Sequence, residues 1–148
     1  MRSIIAGEEV IIRNPQAIRP WQHVLEPLSG YLVLSQSLYQ NPAQYSSGFN
    51  FGPHRDDAKP VEYVTQKIVS NWRSGACYKI DPNYKGPHEA HFLRLDISKA
   101  KSVLGWQPVW SLDSAIEQTT KWYKSYLTNP KSIEHVTREQ IKDFTSLM

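Results

Sequence analysis

The chain is short of cysteine, of clustered glycine and of long apolar runs, and each shortage closes off a class of protein. Cys77 stands alone among 148 residues, so no intramolecular disulfide forms and no cysteine set holds a metal. Nothing near it in sequence supports a nucleophilic thiolate, and an idle thiol is the expectation. The seven glycines are scattered singly. None shows the Gly-x-x-Gly-x-x-Gly spacing that lets a dinucleotide's pyrophosphate approach a backbone turn. The longest apolar stretch, Tyr31 to Leu34, is far below the roughly 20 residues that cross a bilayer. Glu8 and Glu9 interrupt the N-terminal segment too early for a secretory signal, and a cytoplasmic location is expected.

What is present is globular. A hydrophobic share of 40% with 21% charged residues predicts a packed core over a single unit, residues 1–148. The net charge of +3 suits a small anionic ligand such as a pyrophosphate but is weak for nucleic acid. Binding to single strands needs aromatics interleaved with a basic groove, and here most aromatics fall on predicted apolar faces. Neither a nucleic acid nor a membrane is therefore an expected partner.

Strands and helices alternate without a clear series of parallel crossovers, so the predicted class is mixed α/β. Val10 to Arg13 reads as a strand. Leu25, Leu28, Tyr31, Leu32, Ser35 and Leu38 recur at helical spacing between Val24 and Tyr39, with Asn41-Pro42 as the stop. Phe49-Asn50-Phe51 is a predicted short strand. Lys59-Pro60 opens a helix to Trp72 whose face carries Val61, Val64, Ile68 and Trp72. Tyr78 to Ile80 is a strand and His91 to Leu95 is extended. Ser98 is the expected cap of a helix ended by Gly105, and Ser111 that of the strongest helix, Leu112 to Leu127. Thr137 and Gln140 have the spacing of a capping box for a last helix.

Arg13 and Arg19 flank the corner between the first strand and the helix, with Trp21 and His23 beside them. A guanidinium fork holds phosphate oxygens through paired N–H donors and stays charged at any working pH, so this corner is a candidate anion site. His88 and His91 stand three apart. In an extended segment they face opposite sides, and without further ligands at suitable spacing no metal is expected.

Four separated blocks carry a family resemblance. They are Arg13 to Leu32, Phe49 to Pro53 with Asp57 to Val61, Pro87 to His91, and Leu95 to Trp106. Leu104-Gly105-Trp106 before an amphipathic helix resembles the C-terminal, substrate-binding part of extended short-chain dehydrogenase/reductases that act on nucleotide sugars. Arg19-Pro20-Trp21-Gln22-His23-Val24 resembles the CDP-glucose 4,6-dehydratase branch. The resemblance implies the substrate-binding half of such an enzyme with most of its Rossmann core missing. The implied parent activity is NAD-dependent dehydration of CDP-glucose to CDP-4-keto-6-deoxyglucose, a lyase step in making deoxysugars for lipopolysaccharide O-antigen. NAD and the catalytic tyrosine and lysine belong to the missing N-terminal half, so no catalytic residue is assigned here and the chain alone is expected to be inactive. Residues 24–72 are expected to pack on that half, or on a second copy of the chain. Another nucleotide-sugar dehydratase or epimerase, or a non-catalytic nucleotide-sugar binding module, is the alternative.

By the same resemblance, Arg19 matches the arginine on the substrate's pyrophosphate, Asn50 a diphosphate contact and Glu89 the acid that holds the ribose. Arg13, His23, Lys85 and His88 complete the substrate-binding candidates. Lys85 stands near where relatives carry an arginine, and a lysine does not reproduce that fork. Tyr63 and Lys67 match the Tyr-x-x-x-Lys pattern of these enzymes, but on a helix with no cofactor fold upstream they read as a solvent-facing pair one turn apart.

Overall fold

The computed structural model describes residues 1–73, 75–83 and 90–148. After a short helix α1 (Arg2–Ile5), strand β1 (Val10–Ile12) pairs in parallel with β4 (Tyr78–Ile80), Val10 opposite Tyr78 and Ile12 opposite Ile80. Between them β2 (Ile18–Arg19) pairs antiparallel with β3 (Lys59–Pro60). The other edge of β2 meets the 91–93 segment: the Ile18 N–H donates to the His91 carbonyl at 2.9 Å and the Leu93 N–H to the Ile18 carbonyl at 3.1 Å. The predicted extended run from His91 to Leu95 is thus realised as one bridge, at Phe92.

Around these small sheets lie α2 (Leu25–Gln40), α3 (Pro42–Tyr45), α4 (Val61–Trp72), α5 (Ser98–Leu104), α6 (Leu112–Thr128) and α7 (Ile133–Thr145). No helix among the described residues is long and apolar enough to cross a membrane. The α4 and α6 faces meet as their periodicity predicts: Val64, Leu112 and Ile116 form one buried cluster, with Trp21, Tyr63 and Ile68 against it. The Ser111 side chain caps α6 by accepting the Ser114 N–H. Gly105 ends α5 at φ +66°, a left-handed position that costs glycine nothing.

Three local expectations are corrected. Phe49–Phe51 forms no strand: Phe51 is buried as a side chain, edge-on to Trp106 with centroids 4.9 Å apart, and its carbonyl takes the Gln22 amide. Ser98 is not the cap of α5 but its first residue, after Ile97 at the cap position, and the Asp96 carboxylate accepts the Ser98 N–H at 2.8 Å. Thr137 and Gln140 are not a capping box, because Asn129-Pro130 launches a 3-10 turn that starts α7 at Ile133. Thr137 therefore sits inside the helix, accepting the Trp122 indole N–H at 2.9 Å, while Gln140 donates to the Gln118 carbonyl.

The largest departure is the face of α2 that goes inside. Most of its apolar stripe points outward, with Leu28 and Tyr31 exposed, Leu32 72% exposed and Leu25 and Leu38 half-buried, while Glu26, Ser29 and Gly30 are buried. Ser29 accepts the Trp106 indole N–H at 2.9 Å, and the Phe51 ring lies so close over Gly30 that a Cβ there would overlap it. Small and polar residues are buried because bulky partners from other segments need the room.

Candidate functional site

Strand β2 organises the candidate site by tying three separated segments together. Arg19, at its end, donates through one Nη1 to its neighbour's carbonyl at Ile18 (2.9 Å) and to the Ala90 carbonyl (2.8 Å). It thereby grips the residue that follows Glu89 in sequence. Trp21 donates its indole N–H to the Lys59 carbonyl at 3.0 Å, locking the strand corner to β3. Gln22 reaches the Phe51 carbonyl at 3.0 Å, and the neighbouring Asn50 donates its amide to the Asp96 carbonyl at 3.2 Å. Residues 19–22, 50–51 and 90–96, far apart in sequence, are one hydrogen-bonded unit.

Arg19 and Asn50 thus fall on connected segments. Glu89, Lys85 and His88 lie outside the described residues. Arg13 follows β1 as an exposed residue on the turn toward Pro15, on the other strand pair. His23 is placed elsewhere again. It is buried, its Nδ1 accepts the Leu25 N–H at 3.3 Å, and its ring meets Trp110 edge-on with centroids 4.9 Å apart. Burial without an acidic partner pushes its pKa below the usual 6.5, which keeps the imidazole neutral. It lines a cavity of about 420 Å³ between the start of α2 and the α6–α7 pair.

Beside β2 a cavity of about 540 Å³ opens between the 53–58 and 92–101 segments, a size ordinary for small-molecule sites. Pro20, Phe92 and Leu95 give it apolar walls, and Arg55, Arg94 and Lys101 give it positive charge. Sequence reasoning missed these three cations because they stand 39 and 7 residues apart and share no motif (94 − 55 and 101 − 94). Only the backbone route through Asp57 and Asp96 puts them on one groove. The Asp57 carboxylate accepts the Leu112 N–H at 3.1 Å and so fixes the 53–58 segment to α6.

Glu26 is another site of unexpected chemistry. It is 1% exposed and accepts the Trp110 N–H at 2.7 Å and the Val109 N–H at 3.0 Å. Burial raises its carboxyl pKa, opposed by those two backbone donors and by the nearby His54. Its role is to hold the 109–110 segment, giving two orphan N–H groups ahead of α6 an acceptor. In sequence it looks like an ordinary helix-start acid.

The Tyr63–Lys67 pair is a surface arrangement. The Tyr63 hydroxyl donates to Asp113 at 2.8 Å and the Lys67 ammonium to the other oxygen of the same carboxylate at 2.7 Å. Donation to Asp113 raises the tyrosine pKa above 10.0, the opposite of what a phenolate base requires. No group of His, Cys, Asp and Glu among the described residues is arranged to hold a metal. The turn leaving β1, Arg13-Asn14-Pro15-Gln16, contains no glycine, so it does not fit a dinucleotide pyrophosphate.

No family model matches the chain. It is 47% identical over 146 residues to the CDP-glucose 4,6-dehydratase of Salmonella typhimurium strain LT2, a match that takes in 99% of this chain and 40% of that protein. The chain thus spans well under half the length of that relative. The resemblance carried by the motif blocks holds, and over nearly its whole length this chain is homologous to part of a CDP-glucose 4,6-dehydratase.

Proposed function

We propose that the chain is the C-terminal, substrate-binding part of a CDP-glucose 4,6-dehydratase, and that it has no dehydratase activity by itself. The observation that carries this reading is the 47% identity along almost the entire chain to a protein of that activity. The joining of the Arg19, Asn50 and Ala90 segments by β2 supports it. In this reading Arg19 neutralises the substrate's pyrophosphate, Asn50 contacts the same group and Glu89 accepts the ribose hydroxyls. Arg13, His23, Lys85 and His88 remain further candidates. Guanidinium at the diphosphate gives charge-assisted, paired hydrogen bonds that a lysine does not match.

NAD held by a Rossmann part outside these residues would supply the hydride chemistry. This chain's own residues bind and orient the nucleotide end. The outward apolar face of α2 (Leu28, Tyr31, Leu32) is the surface on which that part docks.

Titration of the amide NMR spectrum with CDP, with UDP and GDP as controls, tests the reading. Shifts around residues 18–22 and 90–93 with CDP, lost in Arg19→Ala, are expected. A dispersed spectrum indifferent to all three nucleotides would overturn the assignment of a binding role to this chain.

A further inference from the structure

We propose that the groove between the 53–58 and 92–101 segments is an anion site in its own right, taking a phosphorylated small molecule. Four observations carry it. The cavity, about 540 Å³, is large enough for a phosphate ester with a ring-sized body. Arg55, Arg94 and Lys101 converge on it from two separate segments. Among the described residues neither Arg55 nor Lys101 has an acidic partner, and Arg94 lies over the Phe92 ring with 4.6 Å to the centroid. The lining carries one carboxylate, Asp96, which accepts the Ser98 N–H and is outnumbered by the three cations.

Three cations against a single carboxylate, Asp96, leave the concave surface with an excess of positive charge that an incoming anion relieves. Arginine gives such an anion a planar pair of donors, and lysine adds a mobile point charge. Pro20, Pro53 and Leu95 supply an apolar wall for the ligand's body. The groove adjoins the nucleotide position proposed above and is lined by different side chains from the Arg19 and Asn50 assigned to it. Neither Arg19 nor Asn50 lines the groove, and Arg19 spends its Nη1 on the Ala90 and Ile18 carbonyls. The proposal therefore stands or falls independently of the CDP-sugar reading.

The test is an amide NMR titration of the full chain with inorganic pyrophosphate at low ionic strength, where surface charge is least screened. Shifts in the amides of residues 54–58 and 92–98 are expected. Read from the amides of residues 54–58, Arg55→Ala, Arg94→Ala and Lys101→Ala should each weaken binding about threefold to tenfold, with a larger loss in the triple variant. All three side chains are exposed, and the unperturbed spectrum of each single variant is the check that the fold survives. No shift in those segments, or shifts of equal affinity in the triple variant, would overturn the proposal.

Discussion

Gly30 and Glu26 occupy successive turns of the buried face of α2, and each is fixed by what lies opposite. A side chain at Gly30 would occupy the place of the Phe51 ring, which is itself wedged against Trp106. Gly30→Ala is expected to cost about 1–3 kcal/mol through overpacking, despite alanine's better helix propensity. Urea denaturation checks it, and a gain in stability would mean that Phe51 relaxes freely. Glu26 shows why such positions are hard to read from sequence. A carboxylate in the first turn of a helix has a sufficient local explanation in the dipole, and its partners at Val109 and Trp110 are more than 80 residues away. His23 is similar. Its place beside arginines marks it as a ligand contact, and nothing local announces the edge-on Trp110 ring that packs against it from 87 positions away in sequence.

At the scale of the element, α4, α6 and the end of α5 follow their sequence closely because their signals are local. Apolar spacing, a serine cap and a glycine stop act within one or two turns. Helix α2 shows the limit of that logic. Its periodicity was a true signal of an apolar face, but the chain's own core uses the other face. Leu28 and Leu32, one turn apart, leave a patch that favours association. The double variant Leu28→Lys, Leu32→Lys is expected to keep its stability to within about 0.5 kcal/mol, since both side chains are exposed. It should also sediment as a smaller species than the parent chain at the same concentration. Equal sedimentation of the two would remove this face as an association surface. The candidate site obeys the same division. The residues of the Arg19 block were legible as a motif, while the groove of Arg55, Arg94 and Lys101 arises from two segments that only tertiary contacts align.

For the whole molecule, the buried neutral imidazole makes stability depend on pH. The folded pKa of His23 lies below 6.5, so between those two values the unfolded chain binds more protons than the native one. Stability contributed by this group is complete above 6.5 and falls as pH drops through the window to the lowered value. Urea midpoints measured from about pH 7.5 to about pH 5.5 should decline, and more steeply than in His23→Asn, whose amide oxygen can still accept the Leu25 N–H. Parallel curves for the two proteins would show that His23 is not kept neutral by the fold. By itself the sequence determined the helices with complete local codes, the absence of a glycine-rich dinucleotide turn and the kinship carried by four motif blocks. Tertiary structure alone decided which face of α2 is buried, that Phe49–Phe51 packs by side chain instead of pairing by backbone, and where three distant cations meet. The reason is one of range. Caps, stops and periodicity are energies between residues a few positions apart, whereas the choice of a buried face depends on the volume and hydrogen-bond demands of partners such as Phe51, Trp106 and Trp110, which the local sequence does not contain.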